Sequence, residues 1–96
     1  MIEKIKKYKK YMSEDKFFEA HEALEEYWFP RRKEKSKEVL IVKGFINAAV
    51  SLELKRRGKI KNHHKIWAVY EKLTKDIDSR DVHFLELKEF IDSFKV

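Results

Sequence analysis

The segment VLIVKGFINAAVSLEL, residues 39–54, most constrains the fold of this chain. Its side chains are apolar around most of a helical circumference, and such a helix is stable only when other elements surround it. The pattern predicts a central, buried helix over residues 36–57, and Gly58 is its predicted C-terminal stop. A chain with this segment at its centre needs several further helices to cover it.

Four amphipathic segments can supply that cover. Read at about 100° per residue, their apolar residues predict helices over 2–12, about 14–29, about 61–76 and about 82–95. Ser13 is predicted to cap the second helix and Pro30 to end it. Two glycines, one proline and 42% charged residues favour helices joined by short loops. We therefore predict an all-α fold with a single domain over residues 1–96, an antiparallel helical bundle of about five helices.

Composition excludes several classes of protein. The chain has no cysteine, so neither a disulfide framework nor thiolate chemistry is available to it. No apolar run reaches the roughly 18 residues of a membrane-spanning helix, and the start, MIEKIKKYKKYM, lacks the apolar stretch of a secretory signal. These features predict a soluble, cytoplasmic protein without a membrane partner. Its charge comes mostly from Lys and Glu, a usage typical of heat-adapted proteins.

The second helix carries an unusual constellation, because FFEAHEALEEYW, residues 17–28, places a histidine and a glutamate among aromatic residues. His21 and Glu25 lie four residues apart and share the centre of an arc of about 120°. The aromatic residues of that arc are Phe17, Phe18, Trp28 and Phe29. A charged carboxylate buried among aromatic side chains needs a partner. We predict a buried polar cluster, whose candidate members are His21, Glu22, Glu25, Asn47 and Trp28.

The first interpretation of this cluster is structural. His21 and Glu25 would form an intrahelical pair that fixes the second helix against the central helix, whose polar stripe comprises Lys43, Asn47 and Ser51. A variant of this interpretation makes the cluster the floor of a small-molecule pocket. Both variants make the protein a binding or scaffold domain that needs no cofactor, with an unidentified small molecule or protein as its partner.

A second interpretation assigns chemistry to HEALE, residues 21–25. The segment resembles the zinc motif H-E-x-x-H, with Glu25 in place of the second histidine. A divalent metal ion bound by His21 and Glu25 would need a third ligand, for which His63 in the fourth helix is the best candidate. The protein would then be a metal-dependent or acid/base hydrolase that uses His21, Glu22 and Glu25. On its own, His63 is predicted to be a satisfied core histidine.

A third interpretation concerns the basic runs KIKKYKKY, RRKEKSK and KRRGKIKNHHK. With a formal net charge of +6, they would allow electrostatic, non-specific binding of nucleic acid. Glutamates are interleaved with the lysines, however, and solvated helix faces explain most such runs. The aromatic content of 14% in so small a chain further predicts an exposed apolar face and a homo-oligomer.

EDKFFEAHEALEEYW, residues 14–28, resembles the signature of the small bacterial and archaeal proteins grouped as domain of unknown function three-zero-nine. The residues that match the family pattern are Glu19, Ala20, His21, Glu22, Leu24, Glu25 and Trp28. The resemblance covers roughly residues 14–75 and implies an all-helical fold with no assigned activity. Relatives often have Gln at the position of Asn47, and a His where this chain has Ser51, Leu52 and Glu53. The second departure weighs against a metal site here.

Overall fold

The computed structural model describes residues 1–94, which form five α-helices and one short 3-10 helix and contain no strand. The elements are α1 (Ile2–Ser13), α2 (Phe17–Trp28), the 3-10 helix (Phe29–Arg31), α3 (Lys37–Arg56), α4 (Ile60–Thr74) and α5 (Val82–Asp92). The predicted all-α bundle of about five helices is confirmed. Within residues 1–94, no helix combines the length and the apolar character needed to cross a membrane.

α3 lies at the centre of the fold, as its apolar sequence predicts. Ten of its residues are buried, and it packs against both α2 and α4. A single cluster of buried hydrophobic side chains draws members from all five helices. Tyr8 of α1 is fully buried, and its hydroxyl donates a hydrogen bond of 2.6 Å to the carbonyl oxygen of Phe45. This bond links α1 to α3, and α2 packs against both of these helices.

The connection between α1 and α2 differs from the prediction. Ser13 does not cap α2: it is the last residue of α1, and its Oγ donates to the carbonyl oxygen of Lys10. The chain instead turns through Asp15, whose φ is 59°. The Lys16 N–H donates to the carbonyl oxygen of Tyr11 at 2.9 Å, which is the closing bond of a Schellman motif. A backbone turn therefore sets the start of α2, rather than a hydroxyl cap.

The ends of α2 and α3 lie close to their predicted positions. Pro30 lies in the 3-10 helix that follows α2. Gly58, with a φ of 80°, follows α3, and the N–H of the next residue donates to the carbonyl oxygen of Leu54. α5 ends at Asp92, earlier than predicted, and the predicted end at Lys95 lies outside the described residues.

α3 and α4 approach each other closely at Gly44. A Cβ atom at this position would lie 2.7 Å from Thr74 Cγ2 and 3.1 Å from Leu73 Cβ. The Thr74 hydroxyl donates to the carbonyl oxygen of Tyr70 at 2.8 Å and accepts from Lys88 Nζ at 3.0 Å, so its rotamer is fixed. Gly44 therefore lets α4 lie close against α3, because a larger residue at this position would have to displace Thr74 or Leu73.

Candidate functional site

The core side of α2 is not the side that carries His21 and Glu25. The buried residues of α2 are Phe17, Ala20, Ala23 and Leu24. The side chains of His21 and Glu25 remain 26% and 37% exposed, so the prediction of a buried cluster is wrong. Ala20 and Ala23 have small side chains, so neighbouring helices approach α2 on the side that carries these alanines. Of the four aromatic residues in the arc, only Phe17 is therefore buried in the core. The pair stands at the border between core and solvent.

His21 and Glu25 nevertheless form the predicted intrahelical contact. His21 Nε2 contacts Glu25 Oε2 across one turn of α2. The imidazole also lies near the ring of Phe18, with the ring centroids 6.0 Å apart, and the Phe18 side chain is 57% exposed. With Nε2 engaged by Glu25, Nδ1 is the ring nitrogen left for a ligand. Half-exposed polar atoms beside an exposed aromatic ring are suited to binding.

A surface depression of about 450 Å³, which we call the acidic depression, lies on one side of the pair. Its lining residues are His21, Glu22, Glu25, Glu26 and Phe29. Three of the five carry carboxylates, and the Phe29 side chain is 51% exposed. The hydrogen bond of 3.0 Å from Lys4 Nζ lowers the pKa of the Glu26 carboxyl group. The depression therefore presents negative charge next to an apolar ring.

A second depression of about 270 Å³, the apolar groove, runs between α2 and α3 on the other side of His21. Its lining residues are Phe17, Phe18, His21, Ala49, Val50, Glu53, Leu54 and Arg57. Its charged rim is internally paired, because Arg57 Nε donates to Glu53 Oε2 at 2.7 Å. Arg56 also donates to this carboxylate and thereby lowers the pKa of Glu53. His21 is the residue that lines both the groove and the acidic depression.

Trp28 and Asn47 take different positions from the other predicted site residues. Lys43 Nζ lies 6.0 Å from the centroid of a Trp28 ring, which places the end of α2 beside the start of α3. Asn47 lies one helical turn after Lys43 on α3, and it is half-buried. Neither Trp28 nor Asn47 lines either depression. The candidate site is thus centred on His21, Glu22 and Glu25, and Asn47 does not line it as the sequence predicted.

The residues of the predicted polar stripe of α3 face different helices. Lys43 lies near Trp28 of α2, whereas Ser51 faces α4 and pairs there with His63. The Ser51 hydroxyl donates to the carbonyl oxygen of His63 at 2.7 Å. His63 Nδ1 lies 2.7 Å from Ser51 Oγ and 3.0 Å from the Ser51 carbonyl oxygen. Because a carbonyl oxygen only accepts, Nδ1 must carry the hydrogen. His63 is therefore a satisfied core histidine, as predicted.

The three candidate metal ligands are not brought together. Among residues 1–94, no group of three or more His, Asp or Glu side chains is placed to hold a metal ion. His21 and Glu25 lie on α2, whereas His63 is engaged with Ser51 between α3 and α4. The structure therefore does not bring the three candidate ligands His21, Glu25 and His63 together into one group.

Sequence reasoning predicted that α3 contributes Asn47 to the site and missed the residues of α3 that line the apolar groove. Val50, Leu54 and Arg57 follow one another at helical spacing and face α2. That spacing was visible in the sequence, but the apolar character of α3 on nearly all sides concealed which stripe would remain open. Phe29 was counted among the buried aromatics, although it is exposed at the end of the acidic depression.

Comparison with known proteins gives one significant result. No curated protein and no solved structure matches the chain. The family model described as Domain of unknown function (DUF309) matches residues 5–66, which is more than half of the chain. The matched region contains the residues that line the acidic depression and the apolar groove. With this match added to the EAHE signature of α2, the chain belongs to the DUF309 family.

Proposed function

We propose that this protein is a binding domain whose ligand carries an apolar body next to a cationic group. The observation that supports the proposal is the position of His21 between the apolar groove and the acidic depression. An apolar body would lie in the groove against Phe17 and Leu54. Its cationic group would then reach Glu22 and Glu25 on the other side of the histidine.

The size and exposure of the site indicate modest affinity for a small ligand. Burying one methylene group contributes about 0.8 kcal/mol, so a four-carbon chain contributes about 3 kcal/mol. A cation beside half-exposed carboxylates adds up to about 1 kcal/mol, because solvent screens the charges. Together these contributions correspond to dissociation constants on the order of 1 mM. Larger partners that present the same chemistry, such as a peptide segment with a lysine beside apolar residues, would bind more tightly.

The experiment compares two probes that differ in charge, 4-phenylbutylamine and 4-phenylbutyrate, in ¹H–¹⁵N spectra of the labelled protein. The amine is expected to shift resonances of α2 and α3 around His21, and the carboxylate to shift them less. Glu22→Gln combined with Glu25→Gln should remove the preference for the amine. Glu19→Gln, on an exposed position outside both depressions, is the matched control. Equal binding of the two probes, or binding of neither, would show the proposal to be wrong.

A second candidate function is acid/base catalysis. It is favoured by the contact between His21 and Glu25 beside an open depression, because a carboxylate can orient an imidazole that acts as a general base. No serine or threonine lines either depression, so the base would act on water or on a group of the ligand. Hydrolysis of p-nitrophenyl esters that saturates with substrate and is lost in His21→Gln would support this candidate. Equal rates for the variant and the parent protein would reject it.

A further inference from the structure

A third depression adjoins the acidic one on the surface formed by α1 and α2. It has a volume of about 410 Å³, and we call it the basic depression. Its lining residues are Glu3, Lys4, Lys6, Lys7, Lys10, Ala23 and Glu26. Glu26 lines both the basic and the acidic depression, and its ion pair with Lys4, at 3.0 Å, marks the boundary between them. Two surfaces of opposite charge thus lie side by side on one face.

We propose that this face joins two copies of the chain into a symmetric dimer. A two-fold axis near the Lys4–Glu26 pair would set the acidic depression of each copy on the basic depression of the other. In such an isologous interface every contact occurs twice, so that two adjacent patches of opposite charge complement themselves.

Charge supports a second copy as the partner. Lys6, Lys7 and Lys10 project into solvent from α1, on the side away from the buried Tyr8 and Met12. Three neighbouring cations repel one another, and opposite charge brought by a partner relieves that repulsion. Glu22 and Glu25 of the second copy supply that charge. The exposed ring of Phe29 would be covered in the same contact, and aromatic side chains are enriched in interfaces.

The neighbourhood of the lysines favours this partner over nucleic acid. A phosphate backbone that followed the lysines of α1 would meet Glu22, Glu25 and Glu26 on the adjoining part of the same face. The repulsion between phosphates and carboxylates would oppose binding there. A surface that carries both signs of charge next to each other is suited to a copy of itself.

The dimer does not rest on the binding function proposed above, although the two share the acidic depression. The partner's lysines would occupy the place of the ligand's cationic group, so a bound amine and the dimer should exclude each other. Dimerisation is therefore measured without amine, and amine binding is measured at the lowest usable protein concentration. Either proposal can then fail without the other.

The test uses two charge-reversed variants of the full chain. One carries Glu22→Lys and Glu25→Lys, and the other carries Lys6→Glu and Lys7→Glu. Sedimentation equilibrium of the parent protein is expected to approach twice the chain mass of 11.7 kDa as concentration rises. Each variant alone should remain at the mass of one chain, because its own two patches now repel. An equimolar mixture of the variants should regain the dimer, because each patch again meets its opposite.

The matched control reverses Lys61 and Lys65, which are exposed on α4 and line none of the three depressions, to glutamate. This variant should dimerise like the parent, and circular dichroism should show the same helix content for every variant. A parent protein that stays monomeric up to millimolar concentration would overturn the proposal. Dimers in the separate variants, or a monomeric mixture, would do the same. So would binding of duplex DNA by a monomer through Lys6 and Lys7.

Discussion

Replacing Glu25 with alanine is expected to lower the free energy of unfolding by less than about 1 kcal/mol. The side chains of the pair are 26% and 37% exposed, and exposed ion pairs at this spacing contribute about 0.3–0.5 kcal/mol. Alanine also has a higher helix propensity than glutamate, which returns a few tenths of a kcal/mol. A buried pair would behave differently, because removing one partner there costs about 3–5 kcal/mol. The exposure of the pair therefore predicts a nearly neutral substitution.

Urea denaturation of Glu25→Ala, Glu25→Gln and the control Glu19→Ala measures these differences. All three variants are expected to unfold within about 1 kcal/mol of the parent, with unchanged dependence on urea concentration. In a domain of this size, 1 kcal/mol corresponds to roughly 4–8 °C in Tm, so thermal unfolding provides an independent check. A loss of about 3 kcal/mol in Glu25→Ala alone would mean that the pair holds the fold together. That result would refute the reasoning that assigns the pair to a ligand.

Three further predictions concern the fold around the site. Gly44→Ala should lower the free energy of unfolding in urea by about 1–3 kcal/mol, because its methyl group would overlap Thr74 Cγ2. The second substitution Thr74→Ser removes that carbon and keeps the hydroxyl, so the double variant should recover part of the lost stability. A double variant whose loss equals the sum of the two single losses would contradict this. Asp15→Gly should stabilise the protein by about 0.5–1 kcal/mol, because glycine adopts the positive φ without strain; a lowered Tm would contradict this. Burial raises the pKa of Tyr8 and Tyr70 above the usual value of 10.0 for tyrosine. The protonated form of both residues therefore stabilises the fold fully below pH 10, and this stabilisation is lost as the pH rises above 10 toward their raised pKa. Ultraviolet absorbance should show these two residues ionising only as circular dichroism reports unfolding.

The order and type of the helices followed from the sequence because each depends on local patterns. The apolar circumference of α3 required burial on several sides, and the stop at Gly58 required only a residue that accepts positive φ. The start of α2 could not be found in this way. A serine in the expected position suggested a cap, whereas the chain turns through Asp15, a residue that tolerates the left-handed conformation less readily than glycine.

The exposed face of α2 could not be predicted from the helix alone. The arc of aromatic residues around His21 suggested the core, but helix packing brings the backbones together where side chains are small. Ala20 and Ala23 supply that surface, and Leu24 fills the space between the neighbouring helices. Phe18, which lies toward the edge of the arc opposite the buried Phe17, consequently remains in solvent. α2 thus has two faces that could be buried, the aromatic arc around His21 and the face that carries Ala20, Ala23 and Leu24. The arrangement of α1 and α3 around α2 decides which of these faces is buried.

The Ser51–His63 pair and the His21–Glu25 pair differ in what they leave available to a ligand. Ser51 and His63 are buried, and their hydroxyl, carbonyl and Nδ1 groups are bonded to one another, so a ligand could reach them only by separating α3 from α4. His21 and Glu25 belong to one helix, and their contact would persist if a ligand bound beside it. An ionised carboxylate accepts about four hydrogen bonds, and the contact with His21 uses only part of this capacity. Binding of a cationic group by the pair on α2 would therefore leave the packing of the bundle undisturbed, and this supports the binding function that we propose for the pair.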